Sequence, residues 1–164
     1  MTQVDIVDAA SANTLRVIQD MERALGQNAN NMGDYFHDDF RWIGNFGCGT
    51  KEGLKAFRER WQLPLRAAFT ERTYQTDRFL VQGQWASCFG HIEATHSGSF
   101  MGLASTGLRV RIPYMDFWEI KDNKILNNWV SVDFPSVLKQ LGLDVFQGRG
   151  WENEHHVIAD HSLV

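Results

Sequence analysis

Two cysteines in 164 residues, Cys48 and Cys88, exclude a disulfide-stapled secreted scaffold and leave no metal-type cysteine spacing. Basic runs are also missing. None exceeds two residues and the net charge is −4, which argues against nucleic acid as a partner. No stretch approaches the ~20 apolar residues needed to span a bilayer. The first dozen residues carry acids where a signal peptide would carry Lys or Arg, and no apolar core follows them. The expectation is a soluble cytoplasmic protein without a membrane partner. The glycine-rich Gly44 to Gly49 lacks the Lys-Ser/Thr ending of a phosphate loop, so nucleotide binding is not expected.

Aromatic residues are abundant: six Trp and eleven Phe, enough to fill a core and still line an apolar ligand pocket. Length fits one domain. Residues 1 to 12 read as a leader, 13 to 146 as the domain and 147 to 164 as a tail carrying His155 and His156.

Leu15, Ile18, Met21 and Leu25 recur at helical spacing before Gly26. Asp34 to Phe40 reads as a short helix, followed by a strand around Arg41-Trp42-Ile43. Thr50 reads as the cap of a helix with a Leu54, Phe57 and Trp61 stripe, ended by Pro64. Strand character then dominates. Arg72 to Gln82 and Gln84 to His96 flank a hairpin at Gly83, and Leu108 to Ile120 and Ile125 to Val132 flank a second at Lys121-Asp122-Asn123-Lys124. Pro135 opens a last helix, stopped by Gly142. Helices first and long antiparallel strands afterwards mean α+β, with helices on one sheet face. In Leu108 to Ile120, Val110, Ile112, Tyr114 and Trp118 share one side while Met115 and Phe117 occupy the other. A sheet apolar on both faces needs a second cover, so a homodimer is expected.

This order of elements, together with Thr95-His96-Ser97-Gly98, Phe100-Met101-Gly102, Ser105-Thr106-Gly107, the Phe117 to Ile125 hairpin, Asn128-Trp129, and Asp133 through Gly142, resembles the SnoaL-like polyketide cyclases. These belong to the nuclear transport factor 2-like superfamily, which also holds ketosteroid isomerase and scytalone dehydratase. The resemblance implies an α+β cone, N-terminal helices packed on a curved antiparallel sheet that encloses a pocket. It further implies a lyase or isomerase acting without metal or cofactor, by aldol-type closure of an apolar aromatic or polyketide-like substrate. A non-catalytic binding domain and a hydratase or dehydratase are the alternatives on the same fold. The founding cyclase carries its acid–base Asp in a His-Trp-Asp of the last strand, where this chain reads Asn128-Trp129-Val130.

Asp116 is the sharpest candidate. A mid-strand carboxyl between apolar neighbours is costly unless it faces a cavity or has a partner, and burial would raise its pKa into the range of a general acid or base. Its place relative to the hairpin also resembles that of the ketosteroid isomerase carboxylic acid. Pairing with Arg109 or Arg111 is the bland alternative. A three-residue Lys121-Asp122-Asn123 loop would set Asp116 opposite Asn128 and Tyr114 opposite Val130; a two-residue turn would put Trp129, Ser131 and Asp133 on the Asp116 face instead. The three-residue loop is preferred. His96 can titrate near neutrality and bond a substrate carbonyl or Asp116, or else fix its turn. Asp133 is a further acid–base candidate, against a role as the cap of the last helix. Trp42, Tyr114 and Trp118 are candidate pocket walls, with Asn128 and His91 as polar ligand contacts. His91 and His96 lie five apart, on opposite faces of a regular strand, so no metal site is expected.

Overall fold

The computed structural model describes residues 8–27 and 31–152. Helix α1, Ala9–Gly26, begins inside the stretch expected to be a leader, because the Asp8 carboxylate accepts the Ser11 N–H at 2.8 Å and caps it. Ser11 and Thr14 are buried on α1 yet satisfied. Thr14 Oγ1 donates to the Gly83 carbonyl at 2.7 Å, and the Gly83 N–H donates to Ser11 Oγ at 2.8 Å. Those two bonds pin the helix across the turn between β3, Phe69–Gln82, and β4, Trp85–His96.

The helix expected at Asp34 to Phe40 is not formed. A 3₁₀ turn, Met32–Asp34, leads into strand β1, Phe36–Gly44. Phe36 and Phe40 are four apart and both buried, a spacing that mimics a helix. Four apart is also an even spacing, which puts both on one face of a strand, and an irregularity in β1 between Phe36 and Arg41 lets the rings approach to 4.4 Å between centroids.

Thr50 is likewise a strand residue rather than a cap, in β2, Thr50–Glu52. The helix that follows runs past Pro64 in three parts: α2, Gly53–Phe57, a π turn, Arg58–Gln62, and α3, Leu63–Ala68. Pro64 has no N–H to give the preceding turn. The chain widens just before it, the Leu63 N–H reaching the Arg58 carbonyl, so Pro64 sits in the first turn of α3 instead of ending the helix.

Strands β5, Arg109–Lys121, and β6, Lys124–Val132, complete a six-stranded sheet in the order β2-β1-β6-β5-β4-β3. The sheet is not wholly antiparallel as expected: β1 pairs with β6 in parallel. The two are joined through the whole intervening chain, so no hairpin dictates their direction. Helix α4, Phe134–Gln140, closes one end.

The concave face carries the core. Val110, Ile112, Trp118 and Ile120 of β5 are all buried, with Ile92 and Ala94 of β4, Val130 and Val132 of β6, and Phe40 and Trp42 of β1. Helix α1 and the α2–α3 helix cover it, Trp42 stacking on Trp61 with 4.3 Å between centroids, a pairing worth ~1 kcal/mol beyond its buried area. The architecture is the expected helix-covered curved sheet around a pocket.

Candidate functional site

Between that concave face and the helices lies a mostly apolar cavity of about 110 Å³. The sheet contributes Trp42, Tyr114, Asp116, Trp118, Asn128 and Val130; the helices contribute Glu22, Trp61, Gln62 and Arg66.

Asp116 points inward because it shares parity with Tyr114 and Trp118 on β5. The β5–β6 turn is a two-residue one after all: Lys121 pairs with Lys124, and Asp122 and Asn123 both take left-handed backbone, φ 50° and 59°. A bulge between Glu119 and Ile120 in the pairing then moves β6 by one residue, so Asp116 faces Val130, Trp118 faces Asn128 and Tyr114 faces Val132. The three-residue loop was the wrong mechanism, but the bulge restores the same parity and returns Asn128 to the pocket. Asn128 Nδ2 donates to Asp116 Oδ1 at 2.9 Å. Burial pushes the Asp116 carboxyl up to about 7, against the opposing pull of that hydrogen bond. Neither Arg109 nor Arg111 pairs with it. Arg109 bonds Glu71 and Thr95, and Arg111 bonds His91, all away from the cavity.

Glu22 was not anticipated. It descends from α1 into the same cavity, and burial, then the charge of Asp116, pushes it up to about 7. Its Oε2 lies 3.5 Å from Thr76 Oγ1, which in turn shares a 2.9 Å hydrogen bond with the Tyr114 hydroxyl. The signal was in the sequence. Leu15, Ile18, Glu22 and Leu25 fall on one helical stripe, and an acid on an apolar stripe is as informative as one on an apolar strand face. Two interacting carboxyls titrate as a pair, in two macroscopic steps. Cys88, opposite Asp116 on β4, is buried and its thiol is pushed up by burial and by both carboxylates, so it stays protonated. Burial likewise raises Tyr114 and keeps its phenol neutral.

The remaining candidates lie elsewhere. His96 is fully buried at the other end of β4, beside Phe69 and Phe100, its Nδ1 3.0 Å from Thr106 Oγ1. Cys88, the ladder partner of Asp116, is eight residues from it, about 26 Å along a strand, so His96 cannot assist Asp116. The surrounding Thr95 to Gly102 stretch is a packing element: Gly98 N–H bonds the Ala68 carbonyl at 3.0 Å, and Phe100 packs on Phe69 and Phe134. His91 sits on the outer face, its Nδ1 3.0 Å from Arg111 and its Nε2 3.4 Å from Glu93. Asp133 caps α4, accepting the Ser136 N–H at 3.0 Å, and is exposed. His155 and His156 lie outside the described residues. Trp42, Tyr114, Trp118 and Asn128 do line the cavity beside Asp116. Among the described residues no cluster of three or more His, Cys, Asp or Glu could hold a metal ion, and no helix is long and apolar enough to cross a membrane.

A family model described as SnoaL-like polyketide cyclase matches residues 16–141. Solved structures with the same fold include a candidate SnoaL-like polyketide cyclase from Jannaschia sp. CCS1, at 13% identity, TM-score 0.74, and 82% and 95% coverage of this chain and that one. IdmH, a candidate polyketide cyclase from Streptomyces antibioticus, shares 18% identity at TM-score 0.70, over 79% of this chain and 99% of its own. AclR, a candidate hydroxylase from Streptomyces galilaeus, shares 19% at TM-score 0.69, over 80% and 97%. No curated protein matches the sequence.

Proposed function

Starting from the SnoaL-like polyketide cyclase family, to which this chain belongs, we propose that the pocket performs cofactor-free acid–base chemistry at a carbon α to a carbonyl, of the lyase or isomerase type that includes aldol cyclisation. The observation that carries this reading is the pair of pocket carboxyls, Asp116 and Glu22, both raised to about 7.

The roles separate by environment. Asn128 donates to Asp116 and favours its ionised form, whereas Glu22 is held up further by the Asp116 charge and keeps the shared proton. Asp116 takes the α-proton, and the C–H electron pair moves onto the carbonyl oxygen as an enolate. Glu22 then supplies a hydrogen bond or its proton to that oxygen. Apolar walls strengthen both interactions by excluding water. The Asp of the founding cyclase is replaced by Val130, directly opposite Asp116, so in this chain the base sits across the ladder rather than on β6.

The outer sheet face supports a homodimer. Phe89, Phe117 and Met115 lie on adjacent strands there, 47%, 54% and 59% exposed, with Trp85 stacked on Trp129 beside them. A second copy is the cover such a face calls for.

The test is solvent deuterium exchange into ethyl benzoylacetate, read by mass spectrometry above the uncatalysed rate. Exchange by wild type that disappears in Asp116→Asn supports the reading. Binding of the ester with no exchange by either protein would favour a binding domain instead.

A further inference from the structure

The helix wall of the cavity carries an unmet demand for a hydrogen-bond acceptor. Gln62 is 7% exposed and lines the cavity, and its Nε2 is buried without a hydrogen-bond partner. Leaving such a donor unsatisfied costs ~1–3 kcal/mol. One helical turn on, at i+4 and hence on the same face, Arg66 lines the same cavity. No described carboxylate stands within ion-pair distance of Arg66. Its electrostatic neighbours include two more cations, Arg72 and Arg58. The π turn that ends at Gln62 shifts the helical register just before this pair, and such turns recur at functional sites.

We propose that Gln62 and Arg66 bind the carboxylate of the pocket's ligand, and that the ligand is a small keto acid built on one flat ring. A carboxylate satisfies the Gln62 donor and the Arg66 guanidinium together. The limit of one ring follows from volume: an enclosed cavity of ~150 Å³ accommodates benzene. This one, at about 110 Å³ and open at one side, has room for a single ring with its polar end at the opening beside the half-buried Arg66. The Arg66 cation and the Gln62 amide on the α2–α3 helix take the anionic end, which leaves the ring among Trp42, Trp61 and Trp118 and the enolisable carbon toward Asp116. The inference rests on the pocket being the substrate site; it does not need the chemistry to be enolisation.

Calorimetric titration with 3-phenylpropanoate and its neutral amide, 3-phenylpropanamide, tests it. Wild type is expected to bind the acid at least tenfold more tightly than the amide. Arg66→Met should erase that preference by weakening acid binding far more than amide binding, and Gln62→Leu should weaken acid binding several-fold, both variants keeping the wild-type melting profile. Asp116→Asn should retain the preference, which separates this proposal from the acid–base one. Equal affinities in wild type, a preference that survives Arg66→Met, or binding of neither probe would overturn it, whatever the exchange experiment shows.

Discussion

Asp116 and Asn128 share a 2.9 Å hydrogen bond although neither is the other's partner across the β5–β6 ladder. The bond is diagonal, and it exists because the two-residue turn at Asp122-Asn123 is followed by one bulged position. The turn alone would point Trp129 and Ser131 into the pocket; the bulge exchanges them for Asn128 and Val130. The electrostatics of the site thus depend on β6 looping out one residue as a bulge.

Deleting Leu126 removes that residue. The two-residue turn would then run into a regular ladder that keeps Trp118 opposite Asn128, Asp116 opposite Val130 and Tyr114 opposite Val132, so those β6 side chains go on facing the pocket. The deletion should therefore cost no more than an ordinary substitution, ~1 kcal/mol. A urea melt should show a midpoint near wild type; a collapsed midpoint would mean that the bulge is needed for more than the register of β6.

The paired carboxyls set the sign of a pH effect on stability. Asp116 and Glu22 sit near 7 when folded, against about 4 in an unfolded chain. Between those values the folded state binds more protons, so their contribution is fully present below about pH 4 and is lost as pH rises through 7. Each carboxyl adds a slope of up to ~1.4 kcal/mol per pH unit, lessened by water at the pocket mouth. Urea midpoints for wild type and for the Asp116→Asn, Glu22→Gln double variant, at pH 5 and pH 8, isolate the effect. The variant should lose less stability between those pH values than wild type does.

Catalysis should respond to the same pair. With Asp116 as base and Glu22 as acid, the deuterium-exchange rate forms a bell around neutral pH. Glu22→Gln should lower the rate by about 10²-fold and remove the alkaline limb while keeping the acidic one. An unchanged alkaline limb would assign it to another group.

Phe117→Glu places a charge at the centre of the outer apolar face without touching the cavity. Light scattering should give twice the chain mass for wild type and the single chain mass for the variant. A monomeric wild type at micromolar concentration would remove the homodimer.

Much of this protein was legible from residue order. Parity on β5 placed Tyr114, Asp116 and Trp118 together and Met115 and Phe117 outside, because strand side chains alternate regardless of what packs on them. The motifs that carry the family resemblance also set the fold. Other features depended on contacts distant in sequence. Phe36 and Phe40 are four apart, a spacing that fits one face of a helix or of a strand alike, and pairing with β6 decides for the strand. Pro64 reads as a helix end and is not one, because a π turn absorbs the missing N–H. His96 and Asp116 share one face of the sheet, yet strand length keeps them apart. Glu22, Gln62 and Arg66 become site residues only when α1 and the α2–α3 helix lie across the sheet. A one-dimensional pattern reports which face a side chain takes; which side chains meet across a cavity is decided by how separate elements pack, and that is fixed only in the folded chain.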